Sequence, residues 1–350
     1  MDGRVTIVDV ARLAGVSKGA VSLALNDRPG VGDDTRERIR AVAAELGWEP
    51  SRRARSLSVS RAFALGLVLA RPPELLGADP FFPAFIAGVE TVLSARDQAL
   101  VLQVVPDEDA ETAGYRRLHR DGRVDGVFLA DLRRGDPRIA LLAEIGLPAV
   151  TLNRPAVPSP FPAVCVDDRP GVTATVRHLA DLGHTVIGHV AGPDRYLHAS
   201  RRRDAWRRAV AATGLPEGPV ERSDFSAASG ATATRSLLAR TPRPTAIIYA
   251  NDTMAIAGMG AARDLGLRVP DDLSVAGFDD SALAPHVHPS LTTVATDALG
   301  WGRAAATALL DLVEGNPVAD VELPQAQLVV RGSTAPPLAP SRSGTRRRRS

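Results

Sequence analysis

The sequence predicts an all-α helix-turn-helix headpiece followed by an α/β core of two doubly wound parallel-sheet lobes. Apolar residues recur at helical spacing through residues 6–46, and short apolar runs alternate with helical patterns from residue 63 onward. Such alternation is typical of parallel sheets covered by helices on both faces. Proline-rich or irregular passages at 154–162 and 285–293 interrupt it, and 350 residues exceed one compact core. We therefore expect two lobes.

The first predicted helix begins after Thr6 and ends before Gly15. Thr6 and Asp9 have the spacing of a capping box, and Gly15 provides the left-handed residue that a helix end needs. The apolar residues between them share one face of a helix. They are Ile7, Val10, Ala11 and Ala14.

A second short helix is predicted after Ser17, whose hydroxyl can accept from the exposed amides at its start. Its inner face is apolar, whereas its outer face is small and partly polar. The outer residues are Lys18, Gly19, Ser22, Leu23 and Asn26. A helix of this kind fits the major groove of DNA; an ordinary helical hairpin with a solvated outer face is the alternative.

A third helix is predicted from Asp33 to Leu46, with Gly47 at its end. A basic segment at 50–57 follows and contains one large apolar residue, Leu57. Three small helices with a basic arm are a poor scaffold for an enzyme and a good one for binding DNA. This segment favours the DNA-binding interpretation over the simple hairpin.

The segment from Val5 to Leu57 closely resembles, without a gap, the headpiece of LacI-type bacterial transcriptional regulators (the LacI/GalR family). It reads VTIVDVARLAGVSKGAVSLALNDRPGVGDDTRERIRAVAAELGWEPSRRARSL. The resemblance implies that Lys18, Gly19 and Leu23 face base edges, and that Leu57 wedges into the minor groove at the centre of a palindromic operator. The full set of implied DNA-binding residues is Thr6, Ser17, Lys18, Gly19, Ser22, Leu23, Asn26, Thr35, Arg52, Ala54 and Leu57.

The core is predicted from runs that alternate along the chain. The predicted strands are Ala64–Leu69, Ala99–Val105, Gly126–Ala130, Ala149–Leu152, Val164–Val166, Val186–Val190, Ala246–Tyr249 and Ser274–Gly277; the predicted helices are Pro83–Arg96, Ala113–Arg120, Arg138–Ile145, Gly171–Leu182, Arg202–Thr213, Gly230–Ala239 and Thr253–Leu265. The predicted domains are a headpiece at 1–50, a hinge helix at 51–60, a core at 61–338 and a disordered basic tail at 339–350. We place lobe 1 at about 61–162 and 294–325, and lobe 2 at about 163–293 and 326–338.

Three core segments resemble the effector-binding domain of the same family, which is similar to periplasmic sugar-binding proteins. They are DDRPGVTATVRHLADLGHTVIGHVAG, YANDTMAIAGMGAARDLGLRVPDDLSVAGFDD and LVVRGST. The resemblance implies an effector cleft lined by Phe81, Phe82, Asn153, Arg202, Asn251 and Asp279. This chain departs from the family pattern at Asp168, where the family usually has asparagine, and at Ala205, where it usually has glycine.

The residue types of that cleft suit a sugar or a similar small polyol. Arg, Asn and Asp side chains at strand ends provide donors and acceptors for hydroxyl groups, while Phe82 and Trp206 can supply an apolar face. Each polar residue also has a structural interpretation. Asn251 can cap the helix at Thr253, Asp279 can cap the following turn, and Arg202 can simply face water.

Composition and motifs disfavour an enzyme, a cofactor and a metal site. His286 and His288 lack a third ligand at fitting spacing, and Arg263 stands where a dinucleotide fingerprint starting at Gly258 needs its third glycine. Lys18 is the sole lysine, which excludes a catalytic lysine in the core. The single cysteine, Cys165, fits a reducing cytoplasm.

Charge is unevenly distributed along the chain, whose net charge is +2. Residues 1–60 hold 10 basic and 8 acidic side chains and the tail holds five arginines, which leaves the middle with −5. Basic ends suit double-stranded DNA as a partner. Apolar runs of membrane-spanning length and a signal segment are lacking, so we expect a cytoplasmic, nucleoid-associated bacterial protein.

Together these observations predict a ligand-responsive transcriptional regulator that acts as a repressor. We expect a homodimer on a palindromic operator, with a small sugar-like effector acting allosterically from the cleft between the lobes. The alternative is a small-molecule (sugar) binding protein without a role on DNA.

Overall fold

The computed structural model describes residues 5–25, 28–48 and 61–338. The predictions for Asn26, Arg52, Ala54 and Leu57, for the hinge helix at 51–60 and for the tail at 339–350 lie outside these described residues. The chain divides into two compact units, Met1–Phe63 and Ala64–Ser350. Within the described ranges, every helix is too short or too polar to cross a lipid bilayer.

The headpiece contains helices α1 (Ile7–Leu13), α2 (Lys18–Leu25) and α3 (Asp33–Glu45). The predicted capping residues are confirmed. Asp9 Oδ2 accepts from the backbone nitrogen of Thr6 at 3.0 Å and from its hydroxyl at 2.8 Å. Gly15 has a φ of +67°, and Ser17 Oγ accepts from the backbone nitrogen of Ala20 at 3.1 Å. Local sequence therefore determines where α1 ends and where α2 begins.

The three helices pack around a small apolar core, as their periodicity predicts. Its fully buried members include Val10, Val21, Ala24 and Ile39. Arg38 on α3 donates from Nε to the carbonyl of Ala14 at 3.2 Å, which satisfies a carbonyl left free at the end of α1. This bond fixes α3 against the helix-turn-helix pair.

The first lobe is a parallel sheet in the strand order β11-β5-β4-β3-β1-β2. Its strands are β1 (Ala64–Ala70), β2 (Ala99–Val105), β3 (Gly126–Leu129), β4 (Ala149–Leu152), β5 (Ala163–Cys165) and β11 (Val321–Glu322), and its helices are α4 (Pro73–Ala78), α5 (Phe81–Ala95), α6 (Glu108–Arg120), α7 (Pro137–Ile145) and α12 (Ala298–Val313). Helices α5 and α12 pack very closely. A Cβ at Gly88 would lie 2.0 Å from the carbonyl oxygen of Leu299, so glycine is required at this crossing.

The second lobe is a parallel sheet in the order β7-β6-β8-β9. Its strands are β6 (Ile187–Ala191), β7 (Val220–Arg222), β8 (Ala246–Tyr249) and β9 (Ser274–Ala276), and its helices are α8 (Arg169–Asp181), α9 (Leu197–Ala212), α10 (Ala227–Leu238) and α11 (Asp252–Asp264). A separate antiparallel pair is formed by β10 (Thr293–Ala295) and β12 (Gln327–Val329). The chain thus crosses from the first lobe to the second after β5. It crosses back to the first lobe near β10 and enters the second lobe again near β12.

Several sequence-based predictions of element bounds need correction. Strand β5 pairs with β4 in the first sheet, so the lobe boundary predicted after residue 162 lies after Cys165. Helix α9 begins at Leu197 instead of Arg202, because Leu197 is buried in the core of the first lobe and extends the helix toward it. Helices α4 and α12 were absent from the predicted pattern.

Candidate functional site

The outward face of α2 carries the residues predicted to contact DNA. Ser17, Lys18 and Gly19 are exposed, whereas Ser22 and Leu23 are half-buried. Leu23 lies beside Gly30, where an added Cβ would be 3.4 Å from Leu23 Cδ1. The start of α2 therefore presents the cationic side chain of Lys18 and the bare backbone of Gly19 to a partner. Leu23 packs against the turn that follows the helix.

The two remaining described candidates lie at helix starts. Thr6 precedes α1, and its hydroxyl is committed to Asp9 at 2.8 Å. Thr35 is half-buried in the first turn of α3. Helix starts expose backbone N–H groups that suit phosphate oxygens, so both positions are compatible with backbone contacts to a nucleic acid.

A cleft in the core unit lies where strands of both sheets end. Asp131 follows β3, Asn153 follows β4, Asn251 follows β8 and Asp279 lies beyond the end of β9, and all four line the cleft. Ligands of open parallel sheets bind at this edge. The φ angles of Asp131, Asn153 and Asp279 are +50°, +73° and +114°. Such angles are uncommon for residues other than glycine and cluster at functional sites.

Arg202 is the centre of one polar group in this cleft. Its Nε donates to Asp168 Oδ2 at 2.6 Å and its Nη1 donates to the carbonyl of Ala250 at 3.1 Å. Its guanidinium also lies 3.6 Å from the centroid of the Phe278 ring. Arg202 is thus held from three sides and does not simply face water.

Asp279 lies within electrostatic range of the Arg202 guanidinium and of three other carboxylates. Burial raises the pKa of Asp279 well above its usual value; Arg202 opposes the rise, whereas Asp79, Asp252 and Asp168 add to it. A carboxyl group in this environment gains from a ligand that donates hydrogen bonds to it. Arg202 and Asp279 together therefore form a donor and acceptor pair for hydroxyl groups.

A second polar group is built on Arg71, directly after β1. Its Nε and Nη2 donate to the two carboxylate oxygens of Asp131 at 2.5 and 2.7 Å, and Nη1 donates to Asp79 at 2.7 Å. Burial favours a higher pKa for Asp131, but the Arg71 guanidinium outweighs burial and the pKa is lowered. The guanidinium also lies 5.3 and 5.5 Å from the ring centroids of Tyr196 and Phe225 in the second lobe. Arg71 therefore contacts both lobes.

Aromatic side chains form the apolar walls. Phe81 at the start of α5 and Trp301 on α12 meet edge to face with ring centroids 5.5 Å apart. In the second lobe, Tyr196, His198 and Phe225 form a triangular cluster. The His198 centroid lies 5.6 Å from each of the other two rings, which are 6.5 Å apart. Burial lowers the pKa of His198 to about 3, so the imidazole is neutral and can both donate and accept a hydrogen bond.

The two asparagines of the cleft also have structural roles. Asn153 Oδ1 accepts from the backbone nitrogen of Val166 at 2.9 Å, which leaves its amide nitrogen for a ligand. Asn251 Oδ1 accepts from Met254 at 2.9 Å as the N-cap of α11, and its Nδ2 donates to the carbonyl of Phe225 at 3.1 Å. The capping interpretation of Asn251 is therefore correct, and its capacity for a ligand is reduced.

Two aromatic predictions are wrong. Phe82 is 1% exposed and lies in the apolar core of the first lobe, where its ring is 4.9 Å from the Arg71 guanidinium. The Phe82 ring packs against the Arg71 guanidinium on the side of the core and does not line the cleft. Trp206 is fully buried against His189 with ring centroids 5.3 Å apart. In each case the helix turns the ring toward its own sheet.

Several cleft residues were missed by sequence reasoning. They are Arg71, Asp79, Asp131, His198, Phe225 and Trp301. Arg71 and Asp131 lie one or two residues after predicted strands, a position that Asn153 shares. Trp301 lies on α12, which was not predicted. Among the described residues, no three His, Cys, Asp or Glu side chains are grouped as metal ligands.

The fold and cleft define a DNA-binding regulator with a periplasmic-binding-protein-like ligand domain. Residues 176–334 match the periplasmic binding protein-like domain, and residues 6–51 match bacterial regulatory proteins of the lacI family. The transcriptional regulator CelR of Thermobifida fusca is 35% identical over 94% of this chain and 98% of its own length. The chain belongs to the LacI family of transcriptional regulators.

Solved structures agree with this assignment over nearly the whole chain. A CelR–cellobiose complex matches with a TM-score of 0.73 and 34% identity over 94% of this chain and 100% of the other. A lac repressor dimer bound to operator and the anti-inducer ONPF matches with a TM-score of 0.81 and 30% identity over 95% and 100%. The predicted fold class and the predicted regulatory function are confirmed.

Proposed function

We propose that this regulator is a cytoplasmic repressor that binds a palindromic operator as a dimer and is released from it by a small sugar. In this proposal it acts without enzymatic chemistry. The effector would be held by Phe81, Asn153, Arg202, Asn251 and Asp279. Coupling between effector and operator is reciprocal and typically amounts to about 1–3 kcal/mol.

The sugar proposal rests chiefly on the pairing of Arg202 and Asp279 beside aromatic walls. Hydroxyl groups donate and accept at once, so they suit a guanidinium next to a carboxyl group of raised pKa. The flat faces of Phe81 and Trp301 suit the apolar C–H face of a pyranose ring. The relative solved as a complex with cellobiose supports the same ligand class.

The DNA proposal rests on the exposed start of α2. Lys18 and Gly19 are exposed there, and Ser17, Ser22 and Thr35 flank them at positions suited to phosphate contacts. Lys18 can donate to guanine O6 or N7 or to phosphate, and Leu23 is limited to apolar contact such as a thymine methyl. Thr6, Asn26, Arg52 and Ala54 complete the proposed contacts, with Leu57 as the minor-groove wedge.

The dimer proposal is supported by the surface of β2. Leu102 and Val104 on this edge strand are 40% and 37% exposed and point to the same side. An exposed apolar edge strand is a template for pairing with another chain. We expect Leu102→Glu to produce a monomer in sedimentation velocity at micromolar concentration. Leu13→Glu, at an exposed apolar residue of the headpiece (58% exposed), should remain dimeric.

The function is tested by electrophoretic shift with the DNA upstream of its own gene. We expect a salt-sensitive shift specific for an inverted repeat, which a sugar reverses. A shift of equal strength on random duplex, with and without sugars, would leave only the alternative of a sugar-binding protein with an incidental helical head. Loss of the shift in high salt is expected because phosphate contacts release counterions.

The wedge is tested separately by Leu57→Ala. We expect the affinity for the inverted repeat to fall by about tenfold or more, while affinity for random duplex changes little. The expected cost is that of losing an intercalated apolar side chain that bends specific DNA. Competition titrations with both duplexes provide the measurement, and equal losses on both would contradict the wedge.

A further inference from the structure

The effector cleft continues into a second chamber toward the segments that connect the lobes. The inner chamber is the aromatic-walled space already described, with Arg202 and Asp279. The outer chamber is lined by Arg154, Asp168, Arg169, Arg208 and Gln325, among others. Asn153, His198 and Arg201 line both chambers, so the two spaces are adjacent and share one wall.

The outer chamber holds a buried polar atom without a partner. Asp168 is 9% exposed, and its Oδ2 accepts from Arg202 at 2.6 Å. Its other oxygen, Oδ1, is buried and makes no hydrogen bond within the described residues. A buried carboxylate oxygen without a donor costs free energy, so this position is suited to a donor brought by a ligand. It is also one of the two positions at which this chain departs from the family pattern.

Further uncommitted groups surround this atom. Arg201 donates to the backbone carbonyl of Arg154 at 2.9 Å and, in the described part of the chain, forms no ion pair. Arg208 is exposed and has no hydrogen bond or ion pair to any described residue. By contrast, Arg169 is paired with Asp167 at 2.8 Å and Arg154 with Asp320 at 3.0 Å.

The chemistry of these groups distinguishes the ligand. The outer chamber is lined mainly by polar and charged side chains, and Phe81, Phe225 and Trp301 of the inner chamber are not among them. Arg201 and Arg208 line the same chamber as Asp168, and the carboxylates of Asp167 and Glu322 are already paired with Arg169 and Arg154. An anion brings acceptors for the two arginines but no donor for Asp168 Oδ1. Hydroxyl groups satisfy donors and acceptors together.

We propose that the outer chamber is a second sugar subsite, so that the effector is a neutral saccharide of at least two units. The first ring occupies the inner chamber between the aromatic walls. The second lies over Asp168 and beneath Arg201 and Arg208. This inference rests on the proposed sugar effector and specifies its size. Because the outer chamber is lined by residues of both lobes and of the connecting segments, the second unit contacts all three at once.

Isothermal titration of the full-length protein with paired sugars tests the proposal. The probes are cellobiose, maltose, lactose and trehalose, each compared with its own monosaccharides and with glucose 6-phosphate. We expect one disaccharide to bind about tenfold or more tightly than its monosaccharides, as two or three added hydrogen bonds would give. Arg208→Gln should remove most of this gain without changing monosaccharide affinity. Arg207→Gln, on the same helix and outside both chambers, is the matched control.

The results that would contradict the second subsite differ from those that would contradict the sugar effector. A monosaccharide that binds within threefold of the best disaccharide overturns the second subsite and leaves the sugar effector standing. An equal gain from glucose 6-phosphate assigns the chamber to an anion and also overturns it. An undiminished disaccharide gain in Arg208→Gln does the same. Absence of binding by every sugar overturns the proposed function itself, and the subsite with it.

Discussion

Replacement of Arg202 by alanine should abolish the response to the effector and leave operator binding intact. The change removes the cation that faces both Asp168 and Asp279 and frees the carbonyl of Ala250. Loss of a charge-assisted contact in such a site costs about 3 kcal/mol, or roughly a hundredfold in affinity. Electrophoretic shift with increasing sugar measures the response, and titration calorimetry measures the affinity.

Operator binding should persist because Arg202 belongs to the core unit, Ala64–Ser350, and the DNA-binding helices to the other unit. Arg207→Ala is the matched control, since Arg207 lies on the same helix and is paired with Glu217 at 2.8 Å on the exposed side. We expect it to respond as the unmodified protein does. Release of Arg202→Ala from DNA at the same sugar concentration would show that the effector binds elsewhere.

Local sequence signals predicted the headpiece well. Thr6 with Asp9, Gly15 and Ser17 each act on residues within four positions, and their hydrogen bonds and φ angle match the prediction. The outward face of α2 follows from helical periodicity alone. Nothing in this unit required knowledge of long-range contacts beyond the apolar face of α3.

The cleft residues were predicted from the family resemblance, and all of them except Phe82 line the cleft. Asn153, Asn251 and Asp279 also lie where strands end, and Arg71 and Asp131 carry the same signal without having been selected. What sequence cannot supply is the pairing of Arg71 with Asp131, which are 60 residues apart. That pairing depends on β1 and β3 being neighbours in the sheet.

Adjacent aromatic residues illustrate the remaining difficulty. Phe81 lines the cleft whereas Phe82 is buried in the core, although both precede the same helix pattern. Which ring faces a ligand depends on the rotation of α5 against its sheet. That rotation is set by the close crossing with α12 at Gly88, a helix that the sequence pattern did not reveal.

Removal of one buried charge in the first lobe should produce the largest loss of stability. Glu111 on α6 is 1% exposed, accepts from Arg138 at 2.7 Å and also forms an ion pair with Arg133. Arg138 in turn binds Asp136 at 2.6 Å and donates to the carbonyl of Asp131 at 3.0 Å. Glu111→Gln keeps the shape but leaves two buried guanidinium groups short of a counter-charge. We expect the core to lose about 3 kcal/mol of unfolding free energy.

Glu108→Gln is the matched control for this change. Glu108 lies on the same helix and pairs with the same Arg133 at 3.2 Å, but its side chain is 51% exposed. Exposed pairs contribute about 1 kcal/mol or less, so its urea midpoint by circular dichroism should shift little. Glu111→Gln should also weaken sugar binding, because the network holds the segment whose Asp131 fixes Arg71 in the cleft. Equal midpoints for the two variants would mean that burial of the Glu111 charge contributes nothing to the fold.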